Sequence, residues 1–511
     1  MLASTLAFIG SGFELAFTIQ NIIGIVGGVS LGMVLGCIPG LTGTMVIAMM
    51  IPLTYYINPL TAIAALVGCY KGSLYGGSTS AILLNTPGTP EASVTCFDGY
   101  PLYKQGKGGK ALKMALVASV MGDSFSDLVL LTVAVPVAAV ALKLGPPEFA
   151  MLVLFSLTIV GSLSRGSMLK GLASGFLGLI VAIVGLDPIL TTPRYTFGSI
   201  NLDRGLQLLP LLIGLLALGE ILVQVEGIVR GDTDRHKIKE KLSLDSNSEN
   251  NKLTLGEIKQ NLSVIFRSAS IGTFFGALPG IGSITSAFVA YDSAKRTSKH
   301  PEKFGKGNLE GIAAPEAANN AVCGANLIPT ITLGIPGSLS AAVLMGAFMI
   351  HGMMPGPMLM QEHPSMLYGL FILMLLANAT MLLLGFPFIK LARRLFSVSK
   401  TILFPVILIL CCIGAYGCDL NIFDMKVMVV FGLGGYLMKK TGLNPAAFLI
   451  AFILSPLLEN SIRQSLIMSR GSPLIFFTRP ICVVLIGITI LSILWPIRQY
   501  FREKSKLKTK G

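Results

Sequence analysis

Long apolar runs separated by short polar stretches make up nearly the whole chain. The runs at 112–142, 206–226, 366–390 and 479–499 each reach the length of roughly 20 residues that a helix needs to cross a bilayer. Counted along the chain, such runs predict about twelve transmembrane helices. Only one interior stretch, 229–261, is polar, mixed in charge and poor in aromatics, and it predicts an exposed linker. The linker separates a first transmembrane unit, 1–228, from a second, 262–511, which ends in a basic tail. No cleavable signal is expected, because Met1 to Phe13 has no basic start ahead of its apolar run.

Inside the apolar runs, Pro-Gly breaks recur in register. SLGMVLGCIPGLTGT (Ser30–Thr44) returns 240 residues later as SIGTFFGALPGIGSI (Ser270–Ile284), and ILLNTPGT (Ile82–Thr89) returns as ITLGIPGS (Ile331–Ser338). Proline removes a helix hydrogen bond and glycine loosens the backbone. In lipid, such backbone is tolerated only where it faces protein or a water-filled cavity. Paired breaks in two hydrophobic halves point to a secondary transporter whose site lies at the breaks, built from broken helices or re-entrant hairpins.

Loop charge predicts how the halves are related. The first half has no Lys or Arg before Lys71, whereas 229–267 carries eight. After the second break the first half has Lys104, Lys107, Lys110 and Lys113, and the second has none between His351 and Leu367. Between the breaks, the uncharged turn Tyr55–Leu60 is matched by a loop with Lys295, Arg296, Lys299, Lys303 and Lys306. Basic loops stay cytoplasmic. Equivalent loops therefore fall on opposite faces, which predicts inverted-topology repeats in an inner membrane, with Met1 outside and Gly511 inside.

Composition agrees with a polytopic all-α membrane protein. The chain is 53% hydrophobic and 13% charged, with a mean hydropathy of +0.74. The net charge of +14 does not imply nucleic acid, because it resides in loops and the tail. Eight cysteines lack CxxC spacing, and the four histidines form no ligand cluster, so no metal centre is expected beyond a transported Na⁺. No GxSxG, Walker A or HExxH pattern occurs, so no enzyme is expected.

Candidate chemistry sits at the breaks. Behind Pro39-Gly40 and Pro279-Gly280, new helix starts carry Thr42, Gly43, Thr44 and Gly282, Ser283, Thr285. Free N–H groups there, together with the helix dipole, favour an anion. The second breaks add Ser78, Thr79, Ser80, Asn85, Thr86, Pro87, Gly88 and Thr89, and Asn326, Thr330, Thr332, Pro336, Gly337 and Ser338. The alternative is that these small residues only let helices pack closely. Glu316, Asn319 and Asn320 share one helical face and offer hard oxygen ligands for Na⁺, or a carboxylate for a proton. Pairing with a buried cation, or a place at the membrane surface, are the other readings of Glu316. Asp123 and Asp127 also share a face, and Lys113 lies too far along the helix to neutralise them.

The motifs GCIPGLTGT, YGGSTSAILLNTPGTPEA (Tyr75–Ala92), DGYP (Asp98–Pro101), GALPGIGS, APEAANNA (Ala314–Ala321) and LGIPGS resemble the large membrane subunit of the tripartite tricarboxylate transporter family, the TctA type. The resemblance covers nearly the whole chain. It implies uptake of a citrate-like di- or tricarboxylate by alternating access, driven by a cation gradient, typically Na⁺. It also implies two partners, a small membrane subunit (TctB type) and a periplasmic solute-binding protein (TctC type). The positions matching the family motifs are Pro39, Gly40, Thr42, Gly43, Asn85, Pro87, Gly88, Pro279, Gly280, Glu316, Asn319, Asn320, Pro336 and Gly337. A stand-alone organic-anion exchanger or channel is the competing expectation.

Overall fold

The structure is a computed structural model and describes residues 2–162, 168–187, 189–230, 249–280, 282–395, 400–417 and 419–508. The first half contains α1 (Leu2–Ala16), α2 (Ile19–Gly36), α3 (Gly43–Thr54), α4 (Pro59–Leu84), α5 (Cys96–Leu102), α6 (Gly108–Ala141), α7 (Pro146–Ser162), α8 (Met168–Ala182), α9 (Ile200–Asp203) and α10 (Leu208–Leu212). A π turn carries α10 into α11 (Gly219–Val229). The second half contains α12 (Leu255–Ala277), α13 (Gly282–Thr297), α14 (Leu309–Leu333), α15 (Leu339–Ile350), α16 (Leu359–Glu362), α17 (Pro364–Leu395), α18 (Lys400–Gly417), α19 (Ile422–Thr441), α20 (Pro445–Met468), α21 (Ile475–Thr478) and α22 (Pro480–Lys508). Among the described residues, β-structure is confined to β1 (Gly185–Leu186) paired antiparallel with β2 (Pro193–Arg194).

Among the described residues, five helical segments are long and apolar enough to cross a membrane: Ile19–Gly36, Cys96–Ala141, Leu208–Val229, Pro364–Ala392 and Pro445–Met468. Further apolar helices are shorter. α4 and α14 are not among the five, because Lys71, Ser73 and Ser78 to Ser80 in one, and Glu316, Asn319, Asn320 and Asn326 in the other, make them too polar. Yet α4 is buried from Leu60 to Leu83, and α14 from Gly311 to Thr332. A helix enclosed on every side belongs to the protein interior. The outer helices α17, α19 and α22 turn Leu383, Val430 and Leu491 outward.

Packing repeats between the halves. α2 lies on α4, as α12 lies on α14, while α6 of the first half packs on α14 and α17 of the second packs on α4. Small residues permit these contacts. A Cβ at Gly28 or Gly32 would stand 2.1 Å from the carbonyl oxygen of Ala65 or Cys69, and one at Gly272 would stand 2.2 Å from that of Ala318.

All four breaks interrupt helices. α2 stops at Gly36 and α12 at Ala277, and the chain then turns through Gly40 (φ +97°) and Gly280 (φ +86°), in the left-handed region that suits glycine. α4 and α14 end in left-handed residues, Asn85 (φ 53°) and Gly334 (φ 69°). The linker expected over 229–261 differs at its end. α12 begins at Leu255, where Thr254 and Glu257 form a capping box that nucleates the helix. Residues 231–248 of that stretch lie outside the described residues.

Candidate functional site

Glu316 stands in the N-terminal third of α14 and is fully buried. It meets no cation. Its carboxylate accepts hydrogen bonds from Ser78 Oγ on α4 at 2.8 Å, from Ser119 Oγ on α6 at 3.0 Å, and from Thr95 Oγ1. The surface reading and the ion-pair reading of this residue are thereby set aside. Asn320 donates to Ser119 Oγ at 2.9 Å and to its own helix at Glu316 O. Asn320 Oδ1 and both amide atoms of Asn319 are buried without a hydrogen-bond partner. Three hydroxyls can rotate their hydrogens, so the oxygens that now donate to Glu316 can instead turn lone pairs towards a cation. The sequence offered Ser78 as a break residue, but nothing in it singled out Thr95 or Ser119.

This pocket adjoins a break. Gly77, the chain neighbour of Ser78, accepts the Gly88 N–H at 3.2 Å. Gly88 is wedged against Gly36, Gly77 and Ser80, and Thr89 Oγ1 is buried without a hydrogen-bond partner. In the second half, Asn326 Nδ2 donates to Ser338 Oγ at 2.9 Å, and Gly280 N–H donates to Gly337 O at 2.9 Å. Thr42 and Ser338 cap α3 and α15 through the N–H groups of Met45 and Ala341. The two helix starts meet where Thr44 Oγ1 and Ser340 Oγ lie 2.7 Å apart. Thr44, Ser338, Gly337 and Gly280 therefore form one linked group drawn from both halves.

Other expected residues lie differently. The Gly40 carbonyl accepts Gln224 Nε2 from α11 at 2.6 Å, and Gly43 packs against Ser73. Pro39, Pro87 and Pro279 are half-buried, and Pro336 is buried. Ser283 is buried near the start of α13, beside Gly282 (φ +74°). Asn85 is exposed, and its place is the left-handed cap of α4. A cavity of about 460 Å³ opens among α8, the 184–208 segment and α20, with Asp203, Arg204 and Gln207 in its wall, and no break residue lines it.

Two further charged centres have partners that the sequence did not reveal. Lys71 is fully buried in α4, with Nζ 2.5 Å from Asp127 Oδ2 and 3.0 Å from Asp123 Oδ2. The cation that faces the two aspartates thus comes from another helix, while Lys113 on their own helix lies too far away. Asp98 is also fully buried. One of its oxygens accepts the N–H groups of Gly305, Gly307 and Asn308 at 2.8–2.9 Å, and the other accepts Tyr291 Oη at 2.8 Å. It ties α5 of the first half to the α13–α14 loop of the second. In the sequence it stands out only as part of DGYP.

An enclosed polar core within an apolar helical shell defines an all-α membrane protein. The sequence profile of the tripartite tricarboxylate transporter TctA family matches residues 22–450, and the chain belongs to that family. It is 35% identical over 494 residues, 96% of each chain, to an Agrobacterium vitis protein described as an uncharacterized 52.8 kDa protein in the TAR-I ttuC' 3' region. A second Agrobacterium vitis protein, described as an uncharacterized protein in the TAR-II ttuC' 3' region, is 36% identical over 233 residues, 46% of this chain and 96% of the relative. No solved structure matches the chain.

Proposed function

We propose that this chain is the permease subunit of a binding-protein-dependent secondary transporter in the bacterial inner membrane, importing a citrate-like di- or tricarboxylate with Na⁺ by alternating access. The observation that carries the reading is the meeting of helix starts from opposite halves at Thr44 and Ser340, beside the Gly280–Gly337 contact. Helix starts with hydroxyl caps and glycine backbone recognise carboxylate without a fixed cation. The substrate residues in this reading are Pro39, Gly40, Thr42, Gly43, Thr44, Asn85, Pro87, Gly88, Pro279, Gly280, Gly282, Ser283, Pro336, Gly337 and Ser338.

Coupling follows from charge. Each negative charge carried inward against an inside-negative potential costs about 2.3 kcal/mol per 100 mV. Accumulation of a multivalent anion therefore requires co-transported cations. Glu316, Asn319 and Asn320 are the coupling residues in this reading, with a carboxylate and two amide oxygens on one face. Na⁺ is the proposed ion there. The inverted relation of the halves is supported by loop charge and by the reciprocal packing of α6 on α14 and α17 on α4. Met1 is then outside and Gly511 inside, so a cysteine near Ser4 is labelled from outside and one near Ser246 is not.

The test is uptake into proteoliposomes holding this chain and its TctB-type partner, with a TctC-type binding protein supplied outside and a panel of di- and tricarboxylates. Uptake of one carboxylate that needs both the binding protein and an inward Na⁺ gradient is expected. Uptake that persists without the binding protein makes the chain a stand-alone exchanger or channel, and no carboxylate uptake from the whole panel overturns the reading.

A further inference from the structure

The Lys71 centre has no part in the site described above, yet it gathers three fully buried charged side chains. Asp123 and Asp127 lie on one face of α6, both within 3.0 Å of a single ammonium group. Lys71 Nζ also approaches Asn378 Oδ1 at 3.2 Å and the Met374 carbonyl at 3.3 Å, both on α17. Three N–H bonds thus face four acceptors. With both acids ionised the cluster carries one uncompensated negative charge, in an interior where isolated charge is strongly disfavoured.

The two aspartates are unequal. Asp127 Oδ2 receives Lys71 at 2.5 Å and the Asn378 amide at 2.8 Å. Asp123 has only Lys71, whose Nζ stands 3.0 Å from Oδ2, and its Oδ1 is buried with no hydrogen-bond donor. Among the described residues, no other cation balances it. The titratable groups facing the cluster are Tyr70 on α4 and Cys323 on α14, while α17 contributes only neutral acceptors and the Asn378 amide. One helical turn before Asp123, Ser119 holds Glu316, which adds further negative charge along the same stripe of α6.

We propose that Asp123 is a proton-binding site, with Lys71 and Asp127 as its fixed companion ion pair. The carboxylate of Asp123 takes a proton from solvent on one side of the membrane and returns it to solvent on the other, so no bond other than O–H forms or breaks. A proton fits better than a metal ion, because the ammonium already fills the gap between the carboxylates. A proton needs only one free lone pair, and Asp123 Oδ1 supplies it. The site rests on the reading of the chain as an ion-coupled transporter, and it adds a proton to the Na⁺ proposed at Glu316.

The test is pH-dependent infrared difference spectroscopy on the purified full-length protein. The C=O stretch of a buried, protonated carboxylic acid is expected in the wild type. It should be lost in Asp123→Asn, kept in Glu316→Gln, and shifted to the glutamic acid position in Asp123→Glu. If Asp123→Asn does not yield a monodisperse protein, Asp123→Glu decides: a shifted band supports the assignment and an unshifted one overturns it. A wild type without the band, a band that survives Asp123→Asn, or loss of ²²Na⁺ binding in Asp123→Asn with no proton band each overturns it. Because no solute is needed, a failed carboxylate panel with the band still assigned to Asp123 would sink the transport reading alone.

Discussion

Helices α4 and α14 end in the same way, at Leu84 and Leu333, each followed by a left-handed residue and a Pro-Gly pair. Counted back from those ends, Lys71 falls where Asn320 falls. Each reaches a helix of the opposite half: Lys71 meets Asn378 on α17, and Asn320 meets Ser119 on α6. Gly77 and Asn326 are matched in the same way, and each contacts the second-break glycine of its own half, Gly88 or Gly337. The framework is shared, but the charge is not. α4 presents a cation held by two carboxylates, and α14 presents a carboxylate held only by hydroxyls. A carboxylate with neutral partners keeps capacity for a mobile cation, whereas the lysine is locked in place.

The largest effect is therefore expected at Lys71. Lys71→Met strands two buried carboxylates and should cost about 3–5 kcal/mol, read as a lower unfolding midpoint in detergent. Lys71→Met combined with Asp127→Asn should recover much of that loss. A single variant as stable as the wild type would break the contrast between the two helices.

Smaller changes sharpen the comparison at the breaks. Ser338→Ala removes the cap of α15 and the acceptor for Asn326. It should cost about 0.5–2 kcal/mol by the same unfolding measurement. Thr42→Ala at the start of α3 should cost less, because its capping contact is the longer, at 3.4 Å against 3.2 Å.

The smallest effect concerns a carboxylate outside the membrane helices. Asp187, in the loop after α8, is held well below the usual carboxylate range, first by the Arg463 guanidinium and then by the N–H groups of Leu190 and Ile189. Because its folded value lies below the unfolded one of about 3.9, its contribution is complete above that pH and is lost as pH falls further. Unfolding midpoints taken into acid should drop more steeply for the wild type than for Arg463→Ala, and equal slopes would contradict the role given to Arg463.

Sequence patterning made the membrane class, the four breaks and the Glu316–Asn320 face readable, because each is local. Proline and glycine act where they stand, and residues three and four apart must share a helical face. Patterning did not reveal what each face meets. Asp123 and Asp127 were paired by periodicity, but their cation lies on another helix, 56 residues from Asp127. Thr95 and Ser119 touch Glu316 across 221 and 197 residues, and a single serine or threonine carries no signal of such a contact. The start of α12 was readable in principle from Thr254 and Glu257, but the polar composition around it hid the capping box.

The contrast between the two helices meets the proposed function at Glu316. The most direct measurement is the Na⁺ dependence of initial carboxylate uptake in proteoliposomes, for the wild type against Glu316→Gln. The substitution keeps the shape and removes the charge, and it turns one acceptor oxygen into an NH2 donor that a rotated hydroxyl can accept. The account predicts normal expression, uptake reduced at least about tenfold (about 1.4 kcal/mol) and little remaining response to Na⁺. Wild-type uptake with an unchanged Na⁺ response would contradict it and leave Glu316 a structural residue of α14.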